Sequence, residues 1–484
     1  MDSPASSLSS TRTCLTFASG TLTLQGMALP QVRNLFGPLP WTWDSRCQAF
    51  RCDALHYASV RQRLATCGTP CDDQVCQWHE VRWSRVALPQ LRPEQVDAVN
   101  AWRKGRRGVV VMPTGTGKTE VALAIMQEAA VATLVVAPVR DLMYQWHRRI
   151  LAGLGFDAGI IGDQRYCVAP ISVTTYDSAC IHMQRLGNRF GVIVFVECHH
   201  LPGPVRGDAA RMCAAAQRLG LTATPPCGDA RAKDLTRLIG PLVHELPLSA
   251  VRGKTLADYQ VVRIPVFLSQ TEQCRYDQLS RQVRSHLARR RLADPAANWQ
   301  DVCLAAASDP QSQRALRAFR AKQAIEDRAE QKLRVLEDLF RLHLGEPCLV
   351  FAGSNAMARD VSRHFLIPCL LSHCGKRERR EFLQGLETGV YPALVANRVL
   401  DEGVDLPAVK VAIVIGGTAS TRQAQQRLGR VLRKSGDRQA TLYEVVCGET
   451  NEAHRSRRRR RSEAYAGTRH LRSTYKLDAQ ASAS

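Results

Sequence analysis

Lysine is scarce in this 484-residue chain. Only ten of its 66 basic residues are lysine, so arginine carries the excess over 44 acidic residues and the net charge of +22. No apolar run approaches the roughly eighteen residues that a membrane-spanning helix needs. The first thirty residues lack the basic start and the apolar centre of a secretory leader. A cytoplasmic protein with no membrane partner is expected. The seventeen cysteines are odd in number and scattered, and several fall inside apolar runs. That pattern suits reduced, buried thiols and argues against a disulfide framework. A zinc site would need close cysteine pairs matched by a second pair. Cys67, Cys71, Cys76 and His79 are the nearest approach. Their spacings of three and then four intervening residues fit no strong pattern, and they read as incidental thiols.

What is present is an ordinary globular composition, 45% hydrophobic and 23% charged. The length suits roughly three domains. The positive balance favours a polyanion partner, because each neutralised phosphate releases counterions. Arginine drift in a GC-rich genome gives the same composition, and composition alone does not separate the two.

The chain changes character along its length. Residues 1–88 form an N-terminal region of α+β type: "LTFASGTLTLQG" alternates around Gly20 like two short strands at a turn, and "YASVRQRLATC" is helical. Over 89–250, short apolar strands ("RGVVVMP", "ATLVVAPV", "PISVTTY", "GVIVFVE", "RLGLTATP") alternate with helical stretches. Such alternation predicts a parallel sheet with helices on both faces. Residues 251–345 read as a linker and a helical insertion, with no comparable strand over 270–343. Strand–helix alternation resumes over 346–450 with "PCLVFAG", "ALVANRV", "VAIVIGG" and "ATLYEVV". A basic tail, 451–484, carries "RSRRRRR", by its charge pattern a solvated face, a disordered arm or a segment that tracks a phosphate backbone. The expected fold is α/β, two parallel-sheet lobes with a small N-terminal α+β domain and a helical insertion.

"MPTGTGKTE" places Thr114, Gly115, Thr116, Gly117, Lys118 and Thr119 between a strand and a helix. Glycines there let backbone N–H groups surround phosphates, and the helix start adds its positive end. Lys118 would reach the β- and γ-phosphates, and Thr119 offers a hydroxyl to magnesium. ATP with Mg2+ is the expected cofactor pair.

The motifs around this loop come in a fixed order. "LRPEQ" precedes it; "VVAPVRDLMYQW", "VTTYDSA", "VECHH" and "LTATP" follow, then "VLDEGVDLP" and "QRLGRVLR". In order and spacing this set resembles the superfamily 2 helicases and translocases, in their XPB-like branch. "LIGPLVHEL", "SHCGKRERREFLQGLETG" and the early "FASGTLTLQG … FRCDALHY" extend the resemblance, the last to that branch's damage-recognition domain.

The resemblance implies RecA-like lobes, 3′→5′ movement on DNA and roles for individual residues. Gln95 would read the adenine edge. Glu197 would position and polarise the attacking water, and His199 would link the ATP site to the second lobe. Gln426, Arg430 and Arg433 would face the γ-phosphate as arginine fingers and their neighbour. Arginine suits that work because it is always charged and presents a rigid fork. Gly403 and Asp405 would sense nucleotide and nucleic acid. Arg140, Thr174 and Thr175 would contact the strand, largely through phosphate and sugar. The implied partner is DNA, single-stranded or at a duplex junction, with repair or transcription-linked remodelling as the setting and a nuclease as a possible protein partner.

One position departs from the family. Where the resemblance implies an aspartate that holds magnesium, this chain has Val196. Valine extends the β-branched run "VIVFV", so the strand is expected to survive. Three outcomes are open: nucleotide bound through Thr119 and the loop with impaired hydrolysis, Glu197 turning to the metal, or rescue by a carboxylate such as Asp177 or Glu120. "ECHH" itself is no zinc site, because consecutive residues at a strand end point to opposite faces. The enzyme expected is an ATP-dependent DNA helicase or translocase. The alternatives are a nucleotide-responsive DNA-binding module without turnover, or the motor subunit of a restriction or defence complex.

Overall fold

The computed structural model describes residues 13–224, 228–251, 259–371, 373–397, 409–416, 440–459 and 469–470. The chain divides into two compact units, Met1–Pro247 with residues 402–404, and the remainder.

The first unit contains two sheets. The smaller runs in the order Thr42–Asp44, Ala49–Asp53, Thr21–Gln25, Cys14–Ala18, Asp72–Asp73, and helices Leu29–Phe36 and Tyr57–Thr66 accompany it. The turn between its first two strands puts Ser19 and Gly20 both at positive φ. That is the two-residue hairpin geometry matching the natural twist of strands, and the alternation around Gly20 had indicated it. Leu15, Leu22, Leu24, Phe36, Phe50, Tyr57 and Val60 fill its core. The segment after its last strand is bonded to the segment that precedes strand Val192–Val196. Asn188 Nδ2 donates to the carbonyl of Val75 at 2.9 Å, and the N–H of Gln77 donates to the carbonyl of Asn188 at 3.1 Å. A Cβ added to Gly20 would lie 2.6 Å from the Met212 side chain.

The larger sheet has eight strands: Leu242–Glu245, Arg107–Val111, Gln217–Thr222, Val192–Val196, Thr133–Ala137, Ile171–Thr175, Gly159–Gly162 and Arg165–Tyr166. All neighbouring pairs are parallel except the last hairpin. The central strands are buried along their full length, as continuous Val/Ile/Leu runs require when helices cover both faces. One face packs Val110, Val121, Ile125, Val135, Val194, Val196 and Leu221 with helices Pro93–Gly105, Lys118–Ala129 and Arg140–Leu154. The other packs Val111, Leu134, Val136, Ile193 and Phe195 with Tyr176–Leu186 and Asp229–Leu238. In such a sheet ligands bind beyond the carboxyl ends of the strands.

The second unit has a seven-stranded, all-parallel sheet: Cys369–Leu370, Ala393–Ala396, Cys348–Ala352, Val411–Ile415, Ala440–Cys447, Tyr259–Val266 and Arg469–His470. The stretch read as linker thus contributes a strand, Tyr259–Val266, which pairs with Ala440–Cys447 over all eight residues. The insertion is helical: Gln270–Ala293, Trp299–Ala305, Pro310–Asp327 and Glu330–Leu342. Ser269, Asn298 and Asp309 cap the first three of these helices with their side chains, satisfying N–H groups that a helix start leaves open.

The arginine run begins as structure rather than as a solvated arm. Helix Asn451–Arg459 includes its start, and Arg455 reaches the buried Glu326 carboxylate at 2.5 Å. Glu326 also accepts from Tyr276 Oη at 2.8 Å and from the Asn451 N–H at 3.1 Å. Beside it, Lys332 and Glu452 form a fully buried pair at 2.8 Å. No helix among the described residues is long and apolar enough to cross a membrane.

Candidate functional site

Three neighbouring strands of the larger sheet, Arg107–Val111, Gln217–Thr222 and Val192–Val196, end side by side, each in a motif singled out above. The first runs into the phosphate loop. Gly115 and Gly117 stand at φ +87° and +86°, a left-handed conformation that glycine adopts without penalty. A Cβ on Gly117 would also collide with Gln95 Nε2. Helix Lys118–Ala129 starts directly after, so its open N–H groups and the positive end of its dipole face the loop. Lys118 Nζ rests on the carbonyls of Met112, 3.0 Å, and Pro113, 3.3 Å. Thr116 is fully buried and donates to Pro113 at 2.7 Å. The Thr114 hydroxyl is buried without a hydrogen-bond partner.

Gln95 lies against this loop. Its Nε2 donates to the Thr116 carbonyl at 2.9 Å, and its Oε1 accepts from the Arg92 N–H at 2.9 Å. That second bond is half of a box closing the start of helix Pro93–Gly105. An amide has two donors and two acceptor lone pairs, so one of each remains for a base.

The Val192–Val196 strand ends in a sharp change of direction. Glu197 takes φ +50°, ψ +53°, an uncommon conformation for a residue with a side chain. Its carboxylate is buried, and Oε2 has no hydrogen-bond partner among the described residues. His199 Nδ1 lies 3.5 Å from that oxygen. His199 Nδ1 also lies 3.0 Å from Thr222 Oγ1. Thr222 Oγ1 in turn donates to the carbonyl of Thr224 at 3.1 Å. A hydroxyl has one proton; with it on Thr224, the His199 ring donates from Nδ1, which fixes its tautomer. "VECHH" and "LTATP" are therefore joined by a bond between side chains. Thr222 was not among the expected site residues, and the hydroxyl in "LTATP" was the available signal.

Val196 is 6% exposed and packs in the same apolar cluster as Val121 and Ala122 of the phosphate-loop helix. Its carbonyl accepts from Tyr176 Oη at 3.1 Å. Of the carboxylates considered for rescue, Glu120 is ion-paired with Arg149 and lies beside Gly117. Asp177 is 76% exposed and 3.4 Å from Arg206. No group of three or more His, Cys, Asp or Glu side chains suited to a metal occurs among the described residues, and that covers Cys67, Cys71, Cys76 and His79. The loop, Lys118 and the two open buried oxygens fit a nucleotide. For the magnesium expected with it, the Thr119 hydroxyl and Glu197 are the candidate holders, and position 196 offers no side-chain oxygen.

The residues expected to touch nucleic acid are placed differently from one another. Arg140 begins helix Arg140–Leu154, is largely exposed, and pairs with Asp163 at 2.7 Å. Thr174 is 1% exposed, and its hydroxyl donates to Ile161 at 2.7 Å. Thr175 caps helix Tyr176–Leu186, accepting from the Ser178 N–H at 3.3 Å. Both threonine hydroxyls are thus bonded inside the fold, whereas the Arg140 side chain is largely exposed. Gly403, Asp405, Gln426, Arg430 and Arg433 lie outside the described residues.

Three family models match the chain: the type III restriction enzyme, res subunit, over residues 88–227; the helicase conserved C-terminal domain over 331–435; and the xeroderma pigmentosum group B helicase damage recognition domain over 15–75. A "DNA 3'-5' translocase XPB2" from Sulfurisphaera tokodaii is 37% identical over 419 residues, 86% of this chain and 95% of that one. A "DNA 3'-5' helicase XPB" from Kineococcus radiotolerans is 30% identical over 385 residues, 76% of this chain and 62% of that one. The solved Pyrococcus furiosus Hef helicase domain aligns with a TM-score of 0.49 at 15% identity, covering 75% of this chain and 97% of that one.

Proposed function

The chain belongs to the XPB family of DNA 3'-5' helicases and translocases, and from that premise we propose that it is an ATP-hydrolysing motor that moves along DNA. The observation that carries the reading is the meeting of phosphate loop, Glu197 and the His199–Thr222 bond at the ends of three adjacent strands.

Each residue has a defined task. Lys118 exchanges two neutral carbonyls for anionic phosphate oxygens, so that both partners of the hydrogen bond carry charge. The loop N–H groups and the Thr114 hydroxyl hold the phosphates in one orientation, and positioning of this kind is most of what phosphoryl transfer asks of a protein. Glu197 has an open carboxylate oxygen in a buried setting, suited to holding the attacking water and drawing off its proton. His199 ties that residue to the end of the Gln217–Thr222 strand, so a change at the nucleotide reaches a second motif through one hydrogen bond. Arg140 can leave Asp163 for a DNA phosphate; a pair so exposed is held by on the order of 1 kcal/mol or less. Contacts of that kind set grip and register without reading sequence.

The test is ATP hydrolysis with and without single-stranded DNA, run beside displacement of a bound obstacle from a duplex with a 3′ or a 5′ overhang. DNA-stimulated turnover and displacement from one polarity are expected. Lys118→Ala and Glu197→Gln are each expected to remove at least about 100-fold of the rate, in line with the loss of a transition-state contact. Turnover that survives both substitutions would assign the hydrolysis to another site or a contaminant.

A further inference from the structure

We infer that nucleotide binding by this chain is nearly uncoupled from magnesium, because the protein contributes no carboxylate at the place where a phosphate-bound cation would be gripped. The inference rests on the nucleotide site proposed above. It goes further by assigning that site an unusual ligand: the nucleotide polyphosphate itself, with or without its cation.

The geometry supplies the reasons. Val196 is buried against Val121 and Ala122, so the wall beneath the phosphate-loop helix is hydrocarbon, and valine offers no lone pair. Glu120, in the first turn of that helix, is ion-paired with Arg149 and sits beside Gly117 next to Gln95. Asp177 is exposed and neighbours Arg206. Glu197 is the one carboxylate left with an open buried oxygen at these strand ends. Thr119 supplies a neutral hydroxyl only.

A carboxylate at 196 would act in two ways. It would hold the hydrated cation, and it would repel a polyphosphate arriving without one. Both effects make affinity depend on the metal, and loss of such a contact commonly changes affinity by about 10–100-fold. With valine the contribution of position 196 to both effects is absent, and Glu197 is the carboxylate that remains. Magnesium keeps most of its own waters and travels with the phosphates, so the loop, Lys118 and the helix start receive a polyanion of either form.

The experiment is equilibrium binding of ADP and of a non-hydrolysable ATP analogue to the full chain, in magnesium and again in excess chelator. Dissociation constants within about threefold of each other are expected for the chain as it stands, against the about tenfold or greater ratio typical of a lost metal contact. Val196→Asp is expected to raise that ratio to about tenfold or more, mainly by weakening the chelated measurement. Because a carboxylate in an apolar wall can disturb folding, the unaltered chain decides by itself: a ratio of about tenfold or more there overturns the inference. Glu197→Gln gives an independent reading, since removing the remaining charge should tighten binding in chelator more than in magnesium; the opposite order also overturns it. Binding in neither condition would bring down the nucleotide-site reading and this inference together, whereas binding with strong magnesium dependence removes the inference alone.

Discussion

The two ends of one strand, Gln217–Thr222, are finished in opposite ways. At its start Arg218 is fully buried, and its guanidinium donates to the carbonyls of Ala215, Ala210, Leu238 and Cys213. Two of those carbonyls lie at the ends of short helices, where a cation is favoured by the helix dipole. At its finish Thr222 holds His199, near Glu197, whose buried Oε2 lacks a hydrogen-bond partner; the adjacent phosphate loop contains a second such oxygen, on Thr114. A buried polar atom left unpaired costs about 1–3 kcal/mol. Open buried atoms also occur elsewhere among the described residues, Gln217 Oε1 at the start of this same strand and Glu452 Oε1 included. What marks the site is that two open oxygens, on Glu197 and Thr114, accompany the phosphate loop.

Arg218→Met is the largest way to break this comparison. Burial holds the Arg218 guanidinium down to about 10, still charged at neutral pH, so the substitution removes a cation and strands four carbonyls. A loss of about 4 kcal/mol is expected, read as a fall in Tm on the order of 10 °C. Nucleotide affinity per folded molecule should be unchanged. Loss of affinity with intact Tm would mean that the satisfied end belongs to the site as well.

Lys332→Met asks the same question in the second unit. Lys332 donates to Glu452 at 2.8 Å and to the Glu326 carbonyl at 2.6 Å, and neither charged side chain reaches solvent. Removing one partner leaves Glu452 buried and uncompensated, at a cost of about 3 kcal/mol. Lys332→Met/Glu452→Met should recover more than half of it in urea unfolding. A double variant as unstable as the single would show that the pair is not the source.

These examples also show what could be read in advance. The central strands of both large sheets, Thr133–Ala137, Val192–Val196, Cys348–Ala352 and Val411–Ile415 among them, are apolar runs, and buried parallel strands have to look like that. The phosphate loop was legible because its glycines and lysine are contiguous. Arg218 was not, since "RLGL" reads as a strand whatever surrounds it and its acceptors come from helices formed elsewhere in the chain. Nor was the anchoring of Arg455, whose partner Glu326 is 129 residues away. Nor were the local bonds of Thr174 and Thr175: motif membership implied strand contact, and in the fold their hydroxyls bond Ile161 and the start of a helix.

Asp327 sharpens the comparison with a smaller effect. It adjoins the Lys332–Glu452 network, and burial lifts its carboxyl to about 6, with Lys332 opposing and Glu452 adding to the rise. The unfolded chain releases that proton near pH 4, while the folded chain keeps it until about 6. Stability from this group is therefore highest below about pH 4, falls as pH rises to about 6, and is constant above that. Asp327→Asn should remove the slope. It should stabilise the second unit by about 1–2 kcal/mol at pH 7, because each unit of raised pKa is worth about 1.4 kcal/mol before solvent screening, and change nothing at pH 4. Equal gains at both pH values would place the effect in packing instead of charge.

The smallest expected change in stability is at Thr114, and it is the most informative. Its hydroxyl is buried and bonded to nothing, so Thr114→Val replaces an unpaired polar atom by a methyl group of nearly the same shape. An ordinary buried threonine loses about 1 kcal/mol or more when its bond is cut; this one has no bond to lose, and Tm should stay level or rise slightly. If the hydroxyl waits for a phosphate oxygen, the same substitution weakens nucleotide binding by about tenfold or more, the worth of one hydrogen bond to a charged acceptor. Arg218→Met then moves stability and spares binding, while Thr114→Val spares stability and moves binding. Should Thr114→Val lower both together, an unseen partner satisfies that oxygen in the free protein, and unpaired buried atoms cease to be a guide to this site.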